Sequence, residues 1–403
     1  MDAVAEGAPG DLLATAEGRL RDLCAISSPS GDAAGIRRVA EYIAAELRRH
    51  ALRVEIAYEP DAAGVPQPVL LARGPAVRDR HLLLLGHMDT VLAAVEPAVE
   101  ARRFLGTGAL DMKGGLAMLL GALDLLAARG TGVPQDTLIV LVPDEESESF
   151  ISGNATKRWS EAARAVLVLE PGQARPNGET LVAGRRGLTE WSLDVVGRAS
   201  HSGLAYWAGR SALAAAADWS ARAQALSQRG SGPTVNVARL VAGGADFVGD
   251  LATHHDMLGT SRQRNVVSDR ALAEGEIRFL SAADGKTTLA ALASLARTIA
   301  AEHEVTATFT SGMTVAPVDP HGPGAPLVQR TVDLAAARGF HLEVESDRGG
   351  ISFPNFIADP ATTPVIDGLG PTGDGMHVRG EYLNLDSLDR RIVLLADLLA
   401  TLR

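Results

Sequence analysis

A set of histidines and carboxylates falls where buried strands end or a helix begins. His87 closes the apolar run His81-Leu-Leu-Leu-Leu-Gly86, and Asp89 follows two residues later. Asp111 stands just before an apolar helix pattern that starts at Lys113. Glu145 and Glu146 follow the strand pattern Thr137–Val142, Glu170 ends the pattern Ala165–Leu169, and His377 lies in the glycine-rich stretch Gly373-Asp-Gly-Met-His377. Carboxylates with imidazoles and no thiolates suit Zn2+, Co2+ or Mn2+. Two such ions about 3.5–4 Å apart need a bridging carboxylate, with an imidazole and a carboxylate for each ion. His87, Asp111, Glu146, Glu170 and His377 supply that set. Asp89 is placed to accept the second ring N–H of His87 and fix its tautomer. Glu145 is then left beside the metals but unbound, where a carboxylate can take a proton from water.

Each of these residues alone has a plainer reading. An Asp before a helix is usually an N-cap, and Asp-Glu-Glu after a strand is often a solvated loop. Together, at the strand ends where open α/β sheets build their sites, they point to chemistry.

The elements that must hold them alternate. Helical spacing runs over residues 11–25, 33–50 and 113–129, between the buried strand patterns named above. That order predicts an α/β sheet covered by helices. After Gly184-Arg-Arg-Gly187 the style changes. A half-exposed strand over 188–196, an Ala-rich helix over 211–226, strands over 234–241 and 271–279 and a helix over 287–302 predict a small α+β unit. Residues 245–264, with His254-His255, read as a loop. From about 311 the α/β style returns and ends in a helix over 387–402. The expected organisation is a catalytic domain, 1–187 and 309–403, broken by an inserted domain, 188–308.

Composition narrows the partners. The 403 residues are 46% apolar and 22% charged, as in soluble globular proteins. A net charge of −11 gives no general attraction for nucleic acid or anionic lipid, so neither is expected as a partner. The single cysteine, Cys24, excludes an internal disulfide and favours a cytoplasmic setting. The start, MDAVAEGAPGD, lacks the basic and apolar regions of a signal peptide. No apolar stretch reaches the ~18 residues that a membrane span needs.

Six blocks, in order along nearly the whole chain, resemble the M20 metallopeptidase and aminoacylase family. They are Gly86-His-Met-Asp-Thr-Val91, Gly106-Thr-Gly-Ala-Leu-Asp-Met-Lys-Gly-Gly115, Pro143-Asp-Glu-Glu146, Leu169-Glu-Pro171, Ala199-Ser-His-Ser-Gly203 and Gly375-Met-His377. The branch with glutamate carboxypeptidase and the acetylornithine and succinyl-diaminopimelate deacylases is the most similar. The resemblance implies a zinc-peptidase-like α/β catalytic domain with a mostly parallel mixed sheet, interrupted by a smaller ferredoxin-like α+β lid and dimerisation domain. It implies a homodimer through that insert. It also implies one Zn2+ on His87, Asp111 and Glu170 and a second on Asp111, Glu146 and His377, with a cis peptide after Asp111. Glu145 would be the general base acting on a metal-bridged hydroxide. His201 would reach a partner's site and stabilise the oxyanion. Asn265 and Arg278 would grip a free carboxylate on the substrate, with Gly349 and Gly350 beside it.

The implied reaction is hydrolysis of an amide or peptide bond next to a free carboxylate, in an N-acyl amino acid or a short peptide. Two alternatives share the motifs: acyl transfer to an amine at the same site, and an inactive relative that only binds a small ligand. A serine nucleophile finds no Gly-x-Ser-x-Gly elbow at a strand–helix turn. The chain departs from the family at Ser147-Glu-Ser, at the long 245–264 segment and at Ser352-Phe353-Pro354, where relatives carry a polar pocket residue. Those are positions where substrate choice would be decided.

Overall fold

The continuous apolar runs fold as a central sheet. The computed structural model describes residues 10–147, 149–253 and 266–403. The chain divides into two compact units, Met1–Arg185 with Val318–Arg403, and Arg186–Pro317.

In the first unit, six strands lie in the order Arg53–Pro60, Pro66–Arg73, Thr137–Val142, His81–His87, Ala163–Val168, Val365–Ile366. The last four are parallel, and the first two run antiparallel to their neighbours, which makes a mostly parallel mixed sheet. Every residue of His81–His87 and Thr137–Val142 is buried, which is why they read as unbroken apolar runs. Their register aligns His87 with Val142, and Leu85 with Val168. The residues that follow the three central strands therefore emerge at one sheet edge.

The helix Gly114–Ala128 is almost wholly apolar and buried, packed against Gly10–Ala25 and Leu385–Thr401. Its start lies so close to the end of the strand Ala163–Val168 that a Cβ on Gly115 would meet the Leu169 carbonyl oxygen at 2.3 Å. A Gly115→Ala variant is expected to lose about 1–3 kcal/mol by overpacking, read from the urea midpoint at unchanged slope. An unchanged midpoint would contradict this packing.

A second, four-stranded sheet joins Gly373–Asp374, Tyr382–Asn384, Arg103–Leu105 and Ala98–Glu100 in that order. It sets the segment after Leu105 beside the hairpin that carries His377.

The second unit is a four-stranded antiparallel sheet in the order Thr234–Gly243, Arg270–Phe279, Gly187–Val196, Thr306–Val315. With helices Ala212–Gln224 and Ala282–Glu302, the chain order is βαββαβ and the strand order 2-3-1-4, the ferredoxin-like arrangement. Alternate residues Trp191, Leu193 and Val195 face the helices and pack with Trp219, Ile277 and Leu292. Trp191 meets Trp219 edge-on, with ring centroids 5.0 Å apart.

Two sequence expectations differ here. The fourth strand, Thr306–Val315, belongs to the second unit, so the boundary falls at 317 and not at 308. Its exposed positions are mostly Thr and Ser, which hid the alternation. Within 245–264, expected as loop, Ala245–Thr253 is a helix, in which Val248 is buried. The hairpin Arg53–Pro60 with Pro66–Arg73 has a weak strand signal in the sequence, since its outer strand is half-exposed and its inner one begins at a proline. Among the described residues, no helix is long and apolar enough to cross a membrane.

Candidate active site

The parallel register delivers His87, Glu145, Glu146 and Glu170 to one place, and all lie in the first unit. His87 is fully buried at the end of its strand. Its Nε2 is 3.2 Å from Asp111 Oδ1 and 3.7 Å from Glu170 Oε1. Its Nδ1 lies 3.0 Å from the Asp89 carbonyl oxygen and 3.3 Å from Asp89 Oδ1. Asp89 thus faces the second ring nitrogen, as expected, but with its carbonyl closer than its carboxylate. That carboxylate has further partners: the Ser30 hydroxyl at 2.6 Å and the backbone N–H groups of Glu145 and Glu146, both at 3.2 Å. Asp89 therefore orients the imidazole and pins the Asp-Glu-Glu loop.

Asp111 is not a helix cap. Lys113 occupies the N-cap position, without a side-chain capping bond, and Asp111 has non-helical backbone angles (φ −119°, ψ 96°). The Asp111–Met112 peptide is cis. The carboxylate lies between the two imidazoles, Oδ1 toward His87 and Oδ2 3.3 Å from His377 Nε2. His377 also approaches Glu146 Oε2 at 2.9 Å. It is half-exposed and sits in the left-handed region (φ 66°).

The groups His87, Glu145, Glu170 and His87, Asp111, Glu146 each present ligand atoms within 4.8 Å of one another. His377 closes on the second through Glu146 and Asp111. The five residues expected as ligands are thus brought together, with Glu145 beside His87 and Glu170.

The electrostatics describe a site short of positive charge. Burial raises the Glu170 carboxyl well above its usual range, with Asp111 adding to the effect. Burial and the Asp111 charge push Glu146 up to about 8. Glu145 is raised by burial, and the Asp111 charge adds to that. Burial alone would depress His87, but hydrogen bonds to Asp111 and Asp89 raise it. His377 is raised to about 9, chiefly by its hydrogen bond to Asp111. Arg185, ion-paired with Asp367 at 2.6 Å, adds a buried cation facing Glu170 and Glu145.

This donor set fits divalent cations. Carboxylates and imidazoles converge without thiolates, and Glu170 Oε1 is buried with no hydrogen-bond partner. A dication would take the place of protons held here, so its affinity should rise with pH.

His201 is exposed in the second unit, its Nδ1 accepting the N–H of Gly203 at 3.1 Å and of Leu204 at 3.2 Å. Arg278, on a strand of the same unit, forms a two-point ion pair with Glu276. Gly349 and Gly350 are exposed in the first unit, and the Gly350 carbonyl accepts from Arg185 Nη1 at 2.9 Å. Asn265 lies outside the described residues. Phe353, the aromatic departure, is buried and stacks on His87 with ring centroids 6.5 Å apart.

Two positioning acids escaped the sequence reading. Asp144 caps the helix Phe150–Ser160 by accepting from the N–H groups of Ile151 at 2.7 Å and Ser152 at 2.8 Å. Glu381 binds the backbone around Asp111. Both contacts are made to backbone N–H groups, which leave no mark in side-chain spacing.

Residues 83–401 match the model of peptidase family M20/M25/M40. The chain belongs to this family. Carboxypeptidase G2 of Pseudomonas sp. (strain RS-16) is 27% identical over 391 residues, covering 95% of this chain and 88% of the relative. A succinyl-diaminopimelate desuccinylase of Rhodospirillum centenum is 28% identical over 315 residues, covering 72% and 73%. The aminopeptidase PepT of Bacillus cereus has a similar fold, with a TM-score of 0.76, 18% identity and coverage of 96% and 98%. Membership in the M20/M25/M40 family makes the chain an amide- or peptide-bond hydrolase of the metallopeptidase class. The family resemblance and the fold class read from the six motifs both hold.

Proposed function

We propose that the protein is a dinuclear-zinc hydrolase that cleaves an amide or peptide bond next to a free carboxylate. The observation that carries the reading is Asp111, whose two oxygens each face a different imidazole, those of His87 and His377. His87, Asp111 and Glu170 would hold one ion, and Asp111, Glu146 and His377 the other. Bound there, the ions would polarise a carbonyl and acidify water.

The chain's own groups do the rest. Glu145 accepts a proton from the attacking water and returns it to the leaving nitrogen. Burial, which raises its carboxyl above the usual range, is in keeping with this role. Asp89 keeps the His87 ring in place through Nδ1. His201, with Nδ1 occupied as an acceptor, carries its proton on Nε2 and has a donor to offer an oxyanion. We assign it that role in a partner's site, the insert serving as lid and dimerisation domain. Arg278, with Asn265, would receive the substrate carboxylate, exchanging Glu276 for it.

Nothing favours acyl transfer. Phe353 is buried against His87, and Ala245–Thr253 packs on its own unit's strands Thr234–Gly243 and Arg270–Phe279.

A panel of N-acyl amino acids and dipeptides, assayed with Zn2+, Co2+ and Mn2+, tests the reading. Free amine should be released from substrates with a free carboxylate. Their methyl esters should react at least about tenfold more slowly, the equivalent of 1.4 kcal/mol for a lost charge-assisted contact. Equal rates for acid and ester would remove the carboxylate requirement, and no turnover by any of the metals would remove the hydrolase reading.

A further inference from the structure

Glu381 is 5% exposed, and among the described residues its carboxylate has backbone hydrogen-bond donors and no side-chain one. It binds backbone instead. Oε1 accepts the N–H of Leu110 at 2.8 Å and of Asp111 at 2.9 Å, and Oε2 accepts the N–H of Gly108 at 2.8 Å. Its own carbonyl accepts the Gly106 N–H at 3.2 Å, continuing the pairing of Tyr382 with Leu105. Four N–H groups of the Gly106–Asp111 loop thus converge on one residue.

The backbone of the same residue closes the hairpin that carries His377. The hairpin from Gly373–Asp374 to Tyr382–Asn384 encloses His377, and Glu381 closes it through its N–H to the Val378 carbonyl at 3.3 Å. Nearby, the buried Lys113 ammonium is held by the Ile26 carbonyl at 2.7 Å. The loop that Glu381 holds cannot be regular: Asp111 leaves helical geometry, and Gly108 has a positive φ of 72° with room for no Cβ beside Thr90. Without an internal ladder, its N–H groups need an outside acceptor.

We propose that Glu381 is a positioning residue that sets Asp111 against His377, acting on the metal centre through backbone amides and never as a ligand. The proposal rests on the metal-centre reading above. It predicts that the carboxylate matters for cation affinity more than for the fold, because its partners lie in one loop. Partners of this kind typically change metal affinity ten- to a hundredfold.

The test uses the full chain and its Glu381→Gln variant. Glutamine keeps the shape but replaces one acceptor oxygen by an N–H2 group facing backbone donors. Zinc affinity is measured by competition with a chelator, and the melting of metal-free protein is followed alongside. The expected result is at least a tenfold loss of zinc affinity, with the metal-free melt still cooperative and within a few degrees of wild type. Wild-type affinity in the variant would overturn the proposal. So would loss of the cooperative melt without metal, which would make Glu381 a determinant of the fold. Amide exchange in the unmutated, metal-free protein is an independent check: the Gly108, Leu110 and Asp111 N–H groups should exchange slowly, and free-chain rates would overturn the proposal. If wild type itself retains no zinc while those amides are protected, the metal reading fails and the backbone role stands alone.

Discussion

Glu145→Gln should lower kcat by about 10²- to 10⁴-fold, the usual contribution of a positioned acid–base group. KM and zinc content should stay near wild type. Glutamine has the same shape but cannot accept and return a proton at this pH. The surroundings support both expectations. The backbone N–H of Glu145 is fixed by Asp89, so the loop should not move. Its carboxylate stands with His87 and Glu170 in one group of potential ligands, yet Asp111, Glu146 and His377 complete the expected cation set without it. Steady-state kinetics with metal analysis on the same sample decide the matter. A variant that keeps near-normal kcat would show that another group moves the proton. A variant that loses zinc would show Glu145 to be a ligand.

Asp111→Ala should do more, abolishing both activity and zinc-dependent stability. Each of its oxygens faces one imidazole, at 3.2 and 3.3 Å, so its loss removes a ligand from both expected sites. A ligand that binds only the folded state stabilises it by RT ln(1 + [L]/Kd), about 2.7 kcal/mol at a concentration 100 times Kd. Wild type should therefore melt at a higher temperature when zinc is added, and the variant should not. Activity should fall at least as far as in the Glu145 variant. A zinc-dependent rise in Tm equal to wild type would remove Asp111 from the centre.

The legible part of this protein was what depends on side-chain type and period. Buried parallel strands announce themselves as apolar runs because both faces are covered, and residues at their carboxyl ends inherit a common location. His87, Glu145, Glu146 and Glu170 could be read in that way. His377 could not be derived from period, since it is placed by a two-residue strand and a hairpin; the motif around it supplied the expectation. The hidden part works through backbone. Asp144 and Glu381 bind N–H groups of loops. Nothing in the letters around them separates such an acid from a solvated one. The strand Thr306–Val315 was missed because a partly solvated edge rich in Thr and Ser carries little hydrophobic contrast.

The central claim, two cations sharing Asp111, is tested most directly by anomalous X-ray scattering from crystals grown with zinc. Two peaks about 3.5–4 Å apart are expected, one beside His87 and Glu170 and the other beside Glu146 and His377, with Asp111 between them. A single peak, or two peaks that do not share Asp111, would contradict the account.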